Sequence, residues 1–277
     1  MRITEKELQR FVQRLRQEEK SGATVEKYCR EAARFACWLD GRDAVKDLAV
    51  AYKAVLVRER APAGVNGAVA ALNRLFSFLG LDECRLKAVK VQRRIFSDEA
   101  RELTRAEYRR LLDAAKRRNN RRLLLVMETI CATGIRVSEL RFFTVEAAGR
   151  GRVEVTNKGK TRTVFLPGKL QKVLLKYAKE QKITAGAIFI TRGGKPLDRS
   201  NIWHDMKALC ADAHVEESKV FPHNLRHLFA RTYYGLEKDI VRLADILGHS
   251  SVDTTRIYTM ESGFTHRKQL EKMRLVI

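Results

Sequence analysis

Five short segments in the second half of the chain combine the residue types that chemistry on a phosphate diester requires. Their arginines, lysine, histidines and tyrosine occur in Thr133–Leu140, Asn157–Lys160, His223–His227, Leu247–Ser251 and Thr254–Tyr258. A phosphodiester gains charge on its non-bridging oxygens when another oxygen displaces one of its esters, and fixed positive groups stabilise that charge. Arginine binds such oxygens through two parallel hydrogen bonds. No tight cluster of carboxylates lies beside these segments to hold Mg²⁺ instead, so the pattern indicates phosphoryl transfer without a metal or other cofactor.

Each segment taken alone has an ordinary structural explanation. A histidine and an arginine three residues apart often only share the polar face of a helix, and a lysine in a turn is often only solvated. Gly159-Lys160-Thr161 suggests a phosphate loop, but Glu154 occupies the position where the nucleotide-binding motif requires its first glycine. We therefore predict no nucleotide site, and the functional argument depends on the order and spacing of all five segments.

Together the five segments resemble the signature of the tyrosine recombinases, the phage-integrase and Xer-type family. The resemblance extends to residues 24–28 and 35–39, which are similar to the family's helical core-binding domain. It implies a site-specific recombinase that cleaves and rejoins double-stranded DNA through a 3′-phosphotyrosyl intermediate and a Holliday junction. It further implies a homotetramer assembled on DNA, with no cofactor, metal or ATP.

The chemistry then assigns a role to each cation of the signature. Arg136 and Arg226 are expected to bind the scissile phosphate, and His249 is expected to donate a hydrogen bond to the same phosphate. His223 and Arg226 are three residues apart and therefore share one face of a helix.

Tyr258 is the expected nucleophile. Because an ordinary tyrosine phenol is mostly protonated at neutral pH, a base must take its proton, and the resemblance implies His223 for this role. The resemblance also implies Lys158 as the general acid that protonates the leaving 5′ oxygen. Glu139 and His227 are expected to support the site, Glu139 by orienting a basic neighbour and His227 by hydrogen bonding in the core.

Local signals predict the elements that carry these residues. Thr4 with Glu7 and Thr104 with Glu107 form capping boxes, which predict helix starts. Apolar periodicity predicts further helices at about 24–39, 43–60, 62–79, 123–132 and 168–182. Alternating apolar residues at 153–155 and 163–166 predict a hairpin around the turn at 157–160, and 188–190 suggests another short strand.

The last third of the chain is predicted to be helical from Ser200 onward, with breaks near residues 214–221 and at Gly235, Gly248 and Gly263. An apolar stripe ends at Gly248, so His249 is expected at a helix end. Ser251 is the next N-cap, and one short helix then suffices to bring Tyr258 back towards the phosphate.

The predicted fold is mainly α with a small β-sheet. Residues 1–82 form a helical, SAM-like core-binding domain, 83–102 a basic linker, and 103–277 an α+β catalytic domain of the tyrosine-recombinase type with a C-terminal docking tail. The tail is amphipathic from Gly263 onward, and whether it docks on its own domain or on a neighbouring protomer stays open.

Composition supports a DNA partner. The 277 residues include 55 Lys and Arg against 33 Asp and Glu, for a formal net charge of +22, and cationic surfaces bind DNA by releasing its counterions. The longest apolar run, Leu123–Met127, is far shorter than a membrane span. The five cysteines are scattered, which favours a reduced, cytoplasmic chain associated with the nucleoid.

Two alternatives share these features. A DNA-binding protein that has lost catalysis would keep the cationic DNA-binding surface. A type IB topoisomerase-like enzyme would use the same tyrosine chemistry. The complete set of six functional residues weighs against the first alternative, and the short helical N-terminal domain weighs against the second. The target DNA sequence and the biological task, whether chromosome-dimer resolution, phage integration or mobile-element transfer, do not follow from the residues.

Overall fold

The structure, a computed structural model, describes residues 1–91, 99–157, 159–191, 193–249, 251–258 and 270–273. The chain divides into two compact units, Met1–Arg93 and Arg94–Ile277. Both are mainly helical, and the described residues include one two-stranded sheet, as predicted for the fold class. Lys158, part of the predicted linker and most of the predicted C-terminal tail lie outside the described residues.

The described part of the first unit contains four α-helices: α1 (Glu5–Gln17), α2 (Gly22–Leu39), α3 (Lys46–Glu59) and α4 (Pro62–Leu79). The capping box at Thr4 is confirmed, and α4 begins at a proline and ends at Gly80 in the left-handed conformation. Their apolar faces enclose a core that includes Phe11, Phe35, Leu72 and Phe76. The local signals at helix ends therefore predicted this unit well, because each depends on a few neighbouring residues.

The segment after α4 is fastened to that helix. Asn73 exchanges two hydrogen bonds with the backbone of Leu86, of 2.9 and 2.7 Å, and Asn66 does the same with Val89, at 3.0 and 2.7 Å. Residues 86–89 thus belong to the first unit. The division at residues 82 and 102 stays a prediction.

The second unit carries the remaining helices: α5 (Arg105–Arg117), α6 (Arg121–Thr133), α7 (Val145–Gly149), α8 (Gly168–Glu180), α9 (Arg199–Ala208), α10 (Cys210–Ala213), α11 (Pro222–Glu237), α12 (Ile240–Leu247) and α13 (Val252–Arg256). The capping box at Thr104 is confirmed. Helix α6 lies at the centre of this unit, with Leu125, Val126, Met127 and Ile130 fully buried. It packs against α11, so the two helices that flank the candidate site share one core.

The predicted hairpin is confirmed as strands β1 (Arg152–Asn157) and β2 (Lys160–Phe165), which pair antiparallel. Val153 lies opposite Val164, and Val155 lies opposite Arg162. Since side chains alternate between the faces of a strand, Arg162 shares its face with the buried Val164. A charged side chain is therefore directed to the interior face of the hairpin.

Two sequence-based predictions are wrong. Gly235 does not break a helix, because α11 continues through it to Glu237; a glycine inside a helix costs only about 1 kcal/mol, which packing elsewhere on the helix outweighs. Residues 188–190 do not form a strand, and Ile190 makes only an isolated bridge with Pro196. Within the described ranges, no helix combines the length and apolar character needed to cross a membrane.

Candidate active site

The site begins where α6 ends at Gly134. Its backbone has φ of +66°, and a Cβ atom there would come within 2.3 Å of the Phe229 ring and 3.0 Å of Leu247. Only glycine satisfies both the left-handed conformation and this close approach. After this turn Ile135 is fully buried in the core, and Arg136 is half-buried.

Arg136 is held by Glu139. The Arg136 Nη1 donates to Glu139 Oε1 at 3.0 Å, and the Arg136 backbone N–H donates to Oε2 at 2.8 Å. A weaker contact of 3.4 Å joins Arg136 Nη2 to the carbonyl of Gly248. Glu139 therefore orients Arg136, the basic neighbour that the sequence predicted for it.

A second arginine, Arg162 on β2, completes this cluster. Its Nη1 and Nη2 donate to Glu139 Oε1 and Oε2 at 3.0 and 2.8 Å, and its Nε donates to the carbonyl of Ile246 at 3.2 Å. A Cβ at Gly248 would lie 2.9 Å from the Arg162 side chain, so this glycine leaves room for it. Arg162 joins the hairpin to Glu139 and to the end of α12.

These two arginines determine the protonation state of Glu139. Burial would raise the pKa of this carboxyl group, which is 1% exposed, but the hydrogen bonds from Arg162 and Arg136 outweigh burial and lower it. Glu139 is therefore ionised at neutral pH. Sequence reasoning missed Arg162, although a charged residue on the apolar face of a predicted strand is a usable signal.

Arg226 lies deeper, with 1% of its surface exposed. Its Nη1 donates to the carbonyl of Gly134 at 2.6 Å, and its Nη2 donates to the carbonyl of Leu247 at 2.7 Å. These carbonyls belong to the C-terminal ends of α6 and α12, where the backbone dipoles favour a positive charge. Burial, followed by the charge of Arg136, lowers the pKa of Arg226 to about 10, which leaves the guanidinium protonated at neutral pH.

His249 directly follows Gly248, which ends α12 in the left-handed conformation as predicted. Its Nε2 lies 3.0 Å from Arg226 Nη2, and its Nδ1 lies 2.8 Å from the hydroxyl of Thr255. Burial, then the charges of Arg226 and Arg136, lowers the pKa of His249 to about 4. The ring is thus neutral at neutral pH and held at both nitrogens.

Tyr258 closes the cluster from the far side. Ser251 caps the short helix α13, which carries the chain back to this residue, as predicted. The ring of Tyr258 is 3% exposed, with its centroid 4.6 Å from that of His227 and 5.9 Å from that of His249. The phenol also interacts electrostatically with the guanidinium of Arg226. The phenol therefore lies beside the cations, at the edge of the small apolar cluster formed by Ala230, Leu243 and Leu247.

The two histidines of α11 extend the same group of rings. The ring of His223 is exposed and lies 4.7 Å, edge to face, from that of His227. The surrounding protein lowers the pKa of His223, and the charges of Arg226 and Arg136 lower it further; that of His227 is lowered to about 4 by burial and then by His223. Both rings are consequently neutral at neutral pH.

The structure thus brings together five of the six predicted site residues: Arg136, His223, Arg226, His249 and Tyr258. The sixth, Lys158, lies outside the described residues and falls between β1 and β2 in the sequence. Among the residues that the structure describes, no group of three or more His, Cys, Asp or Glu side chains could hold a metal ion.

Comparison with known proteins gives consistent matches. The model of the phage integrase family matches residues 101–263. Tyrosine recombinase XerA of Thermococcus kodakarensis is 31% identical over 269 residues, which cover 94% of this chain and 92% of that protein. Tyrosine recombinase XerD of Xanthomonas axonopodis pv. citri is 34% identical over 165 residues, about half of each chain.

Solved structures share the fold. A lambda integrase tetramer bound to a Holliday junction matches with a TM-score of 0.75 and 18% identity, over 91% of this chain and 76% of that chain. The family model and the XerA match cover enough of the sequence to decide its membership. The chain belongs to the phage integrase family of tyrosine recombinases.

Proposed function

We propose that the chain is a site-specific DNA recombinase in which Tyr258 attacks the scissile phosphate and forms a 3′-phosphotyrosyl intermediate. One observation carries the proposal: the buried, protonated Arg226 lies 3.0 Å from His249, and the ring of His249 stacks on that of Tyr258 at 5.9 Å. Burial of a guanidinium at this depth costs free energy unless its N–H donors form hydrogen bonds. Its position beside a phenol and an imidazole suits an anion that binds between them.

Arg136 and Arg226 are proposed to bind the phosphate, since both are anchored by groups that leave their orientation fixed. Glu139 holds Arg136, and two helix-end carbonyls hold Arg226. Donors that are oriented before the reaction stabilise the charge that develops on the non-bridging oxygens without further reorganisation. His249 adds a third donor to the same phosphate.

Proton transfer accompanies each half of the reaction. The oxygen of Tyr258 forms a bond to phosphorus as its proton passes to a base, for which His223 is proposed because its lowered pKa leaves the ring unprotonated at neutral pH. The bond from phosphorus to the 5′ oxygen breaks, and Lys158 is proposed to protonate that oxygen. A 5′-hydroxyl from another strand then reverses the step, so the energy of the ester is retained and no nucleotide is consumed.

The assembly is proposed to follow the relatives. The lambda integrase of the structural match is a tetramer on a Holliday junction, and we propose the same assembly of four copies here, with strands exchanged in pairs. The first unit is proposed to be the core-binding domain. The net charge of +22 supports a large DNA contact.

The test of this function also identifies the target sequence. The purified chain is incubated with fragments of its source genome and with a random-sequence duplex library. The DNA that stays with the protein is then sequenced, both before and after the complexes are boiled in detergent, which removes DNA that is not covalently attached. A nicked duplex built on the enriched sequence loses a short fragment after cleavage, so that the covalent adduct accumulates. We expect mass spectrometry to place the DNA on Tyr258, and Tyr258→Phe to bind the duplex without forming an adduct.

Other outcomes would support the alternatives. If the wild-type chain binds the enriched duplex no differently from Tyr258→Phe and forms no adduct, it is a DNA-binding protein without this activity. If it relaxes supercoiled plasmids that lack the enriched sequence, topoisomerase activity replaces site-specific exchange as the better description.

A further inference from the structure

Thr255 is a fully buried threonine whose hydroxyl lies 2.8 Å from His249 Nδ1. The opposite ring nitrogen, Nε2, lies 3.0 Å from Arg226 Nη2. The imidazole of His249 is therefore held between a guanidinium and a hydroxyl. The guanidinium is one of the two that are proposed to bind the phosphate, whereas the proposed reaction gives the hydroxyl no role.

The partners define which nitrogen of His249 carries the proton. Arginine has N–H donors and no acceptor, so the bond from Arg226 requires Nε2 to be unprotonated. The ring is neutral at neutral pH because burial, Arg226 and Arg136 lower its pKa to about 4. The single ring proton therefore lies on Nδ1 and is donated to the Thr255 hydroxyl.

A bound phosphate requires the other tautomer. When Arg226 donates to a phosphate oxygen instead, His249 is able to donate to that phosphate only with a proton on Nε2, and Nδ1 then becomes an acceptor. Water takes the proton from Nδ1 and returns one to Nε2, so the charge of the ring does not change. A hydroxyl suits both states, since it accepts from Nδ1–H in one and donates to Nδ1 in the other. A carbonyl at this place would retain the proton on Nδ1.

The position of Thr255 in the chain links this bond to the nucleophile. Thr255 belongs to α13, and the backbone N–H of Tyr258 donates to the Thr255 carbonyl at 2.9 Å. The two residues therefore move together. If α13 leaves its place, His249 loses its Nδ1 partner at the same time as the site loses its phenol.

We propose that Thr255 is a positioning residue that orients His249 and supports either of its tautomers, and that it makes the orientation of His249 depend on the docking of α13, the helix that directly precedes Tyr258. The inference rests on the proposed function for its catalytic consequence. The contact itself is open to a test that does not involve DNA.

The first test is spectroscopic. In ¹⁵N-labelled protein without DNA, we expect the His249 ring to show the tautomer with the proton on Nδ1, with its signal assigned from its loss in His249→Gln. The chain has six histidines, so this assignment is practical. Thr255→Val keeps the shape of the side chain but removes the hydroxyl, and we expect it to shift that signal, whereas Thr255→Ser retains the wild-type spectrum. An unchanged spectrum in Thr255→Val overturns the inference whether or not the chain cuts DNA.

The second test is kinetic. On the nicked duplex, we expect Thr255→Val to slow single-turnover adduct formation by about 10- to 100-fold, the order of loss produced by a misoriented group, and Thr255→Ser to retain most of the rate. In a His249→Ala background, Thr255→Val should add little, because the two residues act as one unit. An equal loss in both backgrounds shows that Thr255 only packs α13 and overturns the inference. If the wild-type chain forms no adduct, the proposed function fails instead, and the spectra still decide the contact.

Discussion

Glu139 and Arg162 form a bidentate ion pair. The two terminal nitrogens of the guanidinium donate to the two carboxylate oxygens at 3.0 and 2.8 Å. The same carboxylate orients Arg136. One buried acidic side chain therefore connects the hairpin to Arg136, one of the two arginines that are proposed to bind the phosphate.

Removal of Arg162 tests this connection. In Arg162→Ala, the buried Glu139 loses two of its hydrogen bonds, and removal of one member of a buried pair destabilises by about 3–5 kcal/mol. We expect a loss of that order in denaturant unfolding, together with slower adduct formation, because Arg136 is less well oriented. Arg162→Lys is the matched control. It keeps the charge but not the planar fork, and should recover part of the stability. Unfolding of Arg162→Ala at the wild-type midpoint would contradict the prediction.

The proposed general-acid role of Lys158 predicts a chemical rescue. Lys158→Ala should slow cleavage by about 10²- to 10⁴-fold while DNA binding changes little. Replacement of the bridging 5′ oxygen by sulfur should restore the rate, because a thiolate leaves without a proton. Lys160→Ala, at the first residue of β2, is the matched control and should need no rescue. If Lys158→Ala loses binding rather than cleavage, the assigned role is wrong.

The half-buried His227 predicts a loss of stability in mild acid. Its pKa is about 4 in the folded chain and near 6.5 when unfolded, so the unfolded state binds more protons between these values. Stability therefore falls as the pH is lowered from about 6.5 to 4. This group alone accounts for about 3 kcal/mol, at 1.36 kcal/mol per pKa unit.

The measurement is the free energy of unfolding at several pH values for the wild-type chain and for His227→Gln. The glutamine variant should lose less stability over this range, so the two curves converge towards pH 4. Parallel curves would show that His227 does not titrate as the structure requires.

Gly134 predicts a steric effect that is separable from backbone strain. In Gly134→Ala, the new Cβ meets the Phe229 ring at 2.3 Å in addition to adopting a positive φ. Gly186 has a φ of +77° with no atom within 4 Å of the same Cβ position, so Gly186→Ala reports the strain alone, about 1–2 kcal/mol. We expect Gly134→Ala to cost more, by about 1–3 kcal/mol as in overpacked cores, and to slow adduct formation, because its carbonyl receives a bond from Arg226. Equal melting temperatures for the two variants would contradict this.

Local features of the fold followed from the sequence because their causes are local. The capping boxes at Thr4 and Thr104, the helix end at Gly248 and the N-cap at Ser251 each involve residues a few positions apart. The break at Gly235 was wrong because a single residue's preference was outweighed by the packing of the whole of α11.

The site was predictable to the extent that its residues occur in recognisable segments. The pair of Arg162 with Glu139 joins residues 23 positions apart, and no local pattern indicates which acidic group a strand arginine will meet. Thr255 was part of a noted segment, but its contact with His249 depends on how α13 folds back after α12. Partners of this kind follow from tertiary packing, which one sequence alone does not reveal.

The division into two units has a consequence for how this protein diversifies. Among the described residues, every side chain of the site lies between Gly134 and Tyr258, and each unit has its own hydrophobic core. An exchange of residues 1–93 therefore leaves the described side chains of the site unchanged. Under the proposed roles, chimaeras that exchange this stretch between relatives offer a route to retargeting the enzyme while its reaction stays the same.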